Sequence, residues 1–163
     1  MYPRWLAALC ALLLCLPLAA APLQADRVVV DKSARQLTLY RQGKILLQLP
    51  MVLGGVPRGH KQQQGDRRTP EGRYLLDWKN PNSRYFRSIR ISYPNAEDRA
   101  QAAARGVNPG GDIFIHGQPN QSRWPESVLQ EVDWTDGCIA LRNADMQAVW
   151  DRITVPVSIE IRP

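Results

Sequence analysis

Seven short stretches of alternating or β-rich character, separated by turns rich in Gly, Pro and polar residues, set the strongest limit on what this chain can build. They are RVVVD at 27–31, QLTLYR at 36–41, KILLQLPMVLG at 44–54, GRYLLDW at 72–78, SIRIS at 88–92, DIFIH at 112–116 and PVSIEI at 156–161. In the third, Leu47, Leu49, Met51 and Leu53 recur at a period of two, so one face is buried. Pro50 within it has no amide donor, which places the strand at an edge or a bulge. Two helical stretches interrupt the strands. The first runs over 96–105, with Asn95 as N-cap and Gly106 as its stop. The second begins after Asn143, where Met146, Val149, Trp150 and Ile153 follow helical spacing. Many strands with few helices predict a mainly β domain.

The strands all lie beyond residue 26. Before them runs MYPRWLAALCALLLCLPLAAAPLQAD, with Arg4 as the only charge ahead of Asp26 and an apolar core closed by small residues, the pattern of a secretory signal peptide. Pro17 and Pro22 interrupt the run, and the core is short of the ~20 apolar residues a spanning helix needs. Cleavage after Ala25 therefore leaves no stable membrane span. It divides the chain into a signal peptide at 1–25 and a domain at 26–163, whose 138 residues suffice for one core and are too few for two. The expected location is exported, periplasmic or associated with the cell envelope. A lipoprotein reading fails because Leu9 and Leu14 precede Cys10 and Cys15, where a small residue is required.

Export changes the meaning of the cysteines. The signal carries Cys10 and Cys15, so the mature chain keeps Cys138 alone, and a lone thiol in an oxidising compartment is buried, paired between chains or kept for its reactivity. Twenty-one Lys and Arg against fifteen Asp and Glu give +6, and loss of Arg4 makes the mature value +5. The arginines are scattered from Arg27 to Arg162, so the charge points to an anionic envelope polymer rather than nucleic acid. Two long polar loops, 54–72 and 117–133, are candidate borders of a binding site.

A catalytic cysteine attacks as thiolate and needs a base, and histidine suits neutral pH. His60 lies among Lys, Gln and Gly and reads as solvated surface. His116 ends the apolar run IFI and precedes Gly117, so a strand delivers it to a sheet edge. Gly137 before Cys138 permits unusual backbone geometry, and the amides from Asp136 to Cys138 could form an oxyanion site. The residues thus suit acyl transfer through a thioester, with a buried structural cysteine as the alternative. Two His and one Cys without paired spacing do not make a zinc site, and no cofactor is called for.

IHG at 115–117 followed by TDGCIALRN at 135–143 resembles the signature of the L,D-transpeptidase catalytic domain, the YkuD-like family. The resemblance extends to RQLTLYRQGKILLQLPMVLGG at 35–55 and TPEGRY at 69–74. It implies a β-sandwich or barrel-like fold with two short helices, and a cysteine acyltransferase acting on peptidoglycan stem peptides. Cys138 would be the nucleophile and His116 the general base, with the Gly117 carbonyl orienting the imidazole. The thioester would be resolved by an amine of a second stem peptide or of an envelope protein.

Two positions depart from the family's pattern: Asp136 stands where many members have histidine, and Ala140 where many have Arg or Asn. Carboxylate recognition then falls to Arg142, with a surface or capping role as its alternative, and Tyr93 and Trp134 are candidate cleft walls, with core packing as the alternative for each. Asp112 reads as structural. The variant motif keeps a hydrolase open beside a transpeptidase, and a non-catalytic peptidoglycan-binding domain is the reading from another class. Sortases place their histidine much farther upstream, and papain-like peptidases place the cysteine first.

Overall fold

The computed structural model describes residues 21–163. Most of the expected signal peptide, 1–20, lies outside them. Eight strands form one mixed sheet: β1 Arg27–Asp31, β2 Gln36–Arg41, β3 Lys44–Pro50, β4 Gly72–Asn80, β5 Ser88–Ile91, β6 Phe114–His116, β7 Ile139–Ala140 and β8 Val157–Arg162. Three helices accompany them, α1 Ala96–Ala104, α2 Glu126–Leu129 and α3 Asn143–Arg152.

The sheet order is β3-β2-β1-β8-β4-β5-β6-β7, so the C-terminal strand β8 runs parallel to β1 in the middle. The strands form one continuous sheet that curls on itself. Pro50 is the last residue of the edge strand β3, and beyond it the chain leaves β2 and crosses to the opposite edge. There Val52 N–H donates to Ala140 O at 3.0 Å and Ala140 N–H to Val52 O at 2.9 Å. The two edges thus satisfy each other, as in a barrel, and leave less edge open to another chain.

The curl encloses the core. Val28, Val30, Leu37, Leu39, Leu76, Ile89, Ile91 and Ile115 are fully buried, and Met146, Val149 and Ile153 of the α3 face close it. The period-two face of the third strand is buried at Leu49, Met51 and Leu53, while Leu47 is only half-buried. Helix α1 starts in a capping box, in which Asn95 accepts from Asp98 N–H and Asp98 accepts from Asn95 N–H. It ends at Gly106, whose φ is +66°. Strand β7 has two residues and α2 four, too short for any periodic signal in the sequence.

At the chain's start Ala25 is buried, and its N–H donates to Arg152 O at 2.8 Å.

Candidate active site

Sheet register brings the thiol and the imidazole to one face. Strands β6 and β7 are parallel, with His116 opposite Ala140. Cys138 lies two residues before Ala140, so it faces the same side as Ala140 and therefore as His116. Diagonal neighbours of this kind have Cα atoms roughly 7–8 Å apart, within reach of side chains that lean toward each other. Both residues line a cavity of about 610 Å³ with Trp134, Tyr85, Arg84 and Asp112.

His116 is buried, with 4% of its surface exposed, and is held on two sides. Its Nδ1 lies 2.7 Å from Gly117 O. A carbonyl can only accept, so Nδ1 carries the hydrogen and Nε2 is left as the proton acceptor. The ring packs against Tyr85 at 4.6 Å between centroids and against Trp134 at 5.8 Å. Burial favours the neutral ring and pulls its pKa down to about 4, against the opposing bond to Gly117.

The Cys138 side chain is half-buried, and its thiol donates to Asp112 O at 3.5 Å. Asp112 adopts φ +56°, a left-handed turn that Asp tolerates better than most residues. Desolvation pushes the thiol pKa up to about 11; the carboxylates of Asp136 and Asp112 add to this, while the Phe114 amide and Lys61 oppose it. Both shifts run toward the neutral forms, thiol and imidazole, and share one cause, burial.

The loop before the cysteine is fixed by Thr135. Its hydroxyl donates to Cys138 O at 2.7 Å and accepts from Gly137 N–H at 3.1 Å. The Gly137 amide is thereby consumed, which corrects its reading as an oxyanion donor and leaves the Asp136 and Cys138 amides for that role. Gly137 has φ +123°, and a Cβ there would fall 2.5 Å from Arg68 O, so only glycine lets loop 54–72 pass this close to the cysteine.

Asp136 is 91% exposed and pairs with Arg67, Oδ1 to Nε at 3.6 Å. Both face a second cavity of about 720 Å³ that also contains Lys61, Asn108 and Gly110. Cys138 lines both cavities, with Asp112 and Asp136 beside it.

Three other expectations need correction. Arg142 is the exposed N-cap of α3 and lines neither cavity at the cysteine, because the helix starts just after β7 and turns residue 142 away. Tyr93 is buried in the core, edge-on to Tyr74, with its hydroxyl donating to Pro109 O at 2.9 Å. His60 is only partly solvated, with 25% of its side chain exposed, and is bonded on both nitrogens: Nδ1 accepts from Glu71 N–H at 2.9 Å, which leaves Nε2–H to donate to Asp98 at 3.1 Å. Trp134 does line the cavity of His116. Tyr85 and Arg67 went unnoticed in the sequence. Tyr85 precedes β5, whose Ser88 pairs with His116, but that neighbourhood exists only once the register is known.

Residues 25–161 match the family described as the L,D-transpeptidase catalytic domain, YkuD. YafK of Escherichia coli (strain K12) is 43% identical over 61 residues, which are 36% of this chain and 23% of YafK. Among solved structures, the helical cell shape determining protein Pgp2 of Campylobacter jejuni superposes with a TM-score of 0.60 at 31% identity, over 84% of this chain and 47% of that one. Bd1075 of Bdellovibrio bacteriovorus gives 0.57 at 23% identity, over 88% and 49%. An L,D-transpeptidase from Mycobacterium smegmatis gives 0.55 at 18% identity, over 85% and 59%. The chain thus spans about half the length of Pgp2 and Bd1075 and about a quarter of YafK.

Proposed function

The chain belongs to the family of L,D-transpeptidase catalytic domains, and from that membership we propose that it is a cysteine-dependent enzyme working on peptidoglycan stem peptides through a thioester. The observation that carries this reading is the parallel register of β6 and β7, which turns Cys138 and His116 into one cleft.

The thiol is neutral at rest, so its hydrogen passes to His116 Nε2 as the sulfur attacks the carbonyl of an L-centre residue. The Gly117 carbonyl holds the tautomer that makes Nε2 the acceptor. The Asp136 and Cys138 amides are the donors left for the developing oxyanion, and the imidazolium then returns its proton to the departing amine. An amine of a second stem peptide, or a lysine of an envelope protein, completes transfer. Water completes hydrolysis instead, a second reading favoured by the exposure of Asp136 beside the sulfur.

The leader-like residues 1–25 support export to the periplasm or envelope as part of this proposal. The likeness to Pgp2 supports an influence on cell shape. The test is mass spectrometry of purified muropeptides after incubation with the protein. Cross-linked dimers identify a transpeptidase and shortened stems a hydrolase. Unchanged muropeptides would end the catalytic reading in favour of a peptidoglycan-binding domain.

A further inference from the structure

The cavity on the Arg67 side of Cys138 contains two opposite charges within 3.6 Å, and their pairing is weak. Arg67 is half exposed and Asp136 is 91% exposed, and water screens such a pair. Lys61, the other cation there, is already committed to Asp66 at 2.8 Å and to Gln63 O at 3.2 Å. Arg67 is the cation that can exchange its partner.

Its position is prepared by the backbone. Gly54 and Gly55 run beneath it so closely that a Cβ on Gly54 would fall 2.1 Å from Arg67 O, and one on Gly55 would fall 2.3 Å from a guanidinium nitrogen. Arg67 itself takes φ +56°. The guanidinium therefore lies against the bare backbone of Gly55, with its Nε toward Asp136. A group that brings its own carboxylate and its own ammonium on one carbon could open this pair without leaving either charge alone.

We propose that Arg67 and Asp136 form a receptor for a zwitterionic α-amino acid, with Arg67 taking the carboxylate and Asp136 the ammonium, next to the sulfur of Cys138. The role in turnover rests on the reading of Cys138 as nucleophile. When the amide before a terminal D-amino acid breaks, the thiol hydrogen reaches the leaving nitrogen through His116, and the resulting primary amine takes a second proton from water. The uncharged amide nitrogen of the substrate thus becomes the ammonium that Asp136 faces, while Arg67 holds the carboxylate before and after cleavage. An acceptor carrying a free α-amino acid group would dock on the same pair. Its ammonium first gives one proton to water, and the amine gives a second to His116 as it attacks the thioester, the imidazolium returning that proton to the departing sulfur of Cys138.

Binding is tested without chemistry, in the Cys138→Ser variant, by NMR titration with D-alanine, D-alaninamide and N-acetyl-D-alanine. D-Alanine should bind at least tenfold tighter than either blocked compound. Arg67→Gln should remove the preference over the amide, and Asp136→Asn the preference over the acetylated compound. Gly55→Ala, which displaces the guanidinium and changes no charge, should weaken D-alanine at least fivefold while circular dichroism shows the fold retained. Equal binding of the three compounds, or unchanged binding in Arg67→Gln, overturns the proposal. Failure of the nucleophile reading would show separately, as wild-type protein that binds D-alanine yet forms no acyl-enzyme.

Discussion

The two long loops, 54–72 and 117–133, are alike in being polar with two Pro and three Gln each, yet they are held differently. The first is tied down by charge. Lys32, with 2% of its surface exposed, reaches from the end of β1 to donate to Gly59 O, Thr69 O and Glu71 Oε1 at 2.8, 3.2 and 2.7 Å. Lys61 pairs with Asp66, and His60 with Asp98 of α1. The second loop is fastened mainly near its ends, by Gln118 to Asn143 and Leu141 and by Asp133 to Arg35 and Leu53 N–H. Between them it exposes Trp124, Val128 and Val132 to solvent. Polar composition therefore does not distinguish a solvated loop from one whose charges are satisfied internally; only partners from β1 and α1 decide it.

The sharpest way to break this contrast is Lys32→Ala. It strands the Glu71 carboxylate and two carbonyl acceptors around a buried vacancy, and should cost about 3–5 kcal/mol in urea unfolding. A change below about 1 kcal/mol would mean that the first loop is no better anchored than the second.

A somewhat smaller effect tests the cover that Trp134, just after the second loop, gives to His116. The unfolded imidazole titrates near 6.5 and the folded one at about 4. The unfolded chain thus binds the proton first, so stability present above pH 6.5 is lost as pH falls toward 4, by about 3 kcal/mol at the limit. Denaturant midpoints between pH 7 and 4 should fall in the wild type and flatten in His116→Gln. An identical slope in both would show that the ring is not sealed.

Smallest is Trp124→Ala, at 65% exposure, which should shift stability by less than about 0.5 kcal/mol. A loss above 1 kcal/mol would show that the second loop carries packing its exposure does not suggest.

What could be read from the sequence follows the same division. The seven strand segments and both longer helices were legible because each has an internal period or cap, as with Asn95 and the Met146–Ile153 face. The His116–Cys138 pair was legible because strand ends and a Gly-Cys segment carry local signals. Arg67, Tyr85 and the bonding of His60 were not legible. Each gains its meaning from a partner distant in sequence, Asp136 for Arg67 and Asp98 for His60. Arg142 misled for the complementary reason: proximity in sequence to the cysteine does not survive the turn into α3.

The most direct test is acid-quenched intact-mass analysis after mixing the protein with a stem tetrapeptide ending in a D-amino acid. A mass gain equal to the peptide minus the free terminal amino acid, mapped to Cys138 and absent from Cys138→Ser, is the predicted result. Conversion of the peptide with no such adduct, or by the Cys138→Ser protein, would contradict the account.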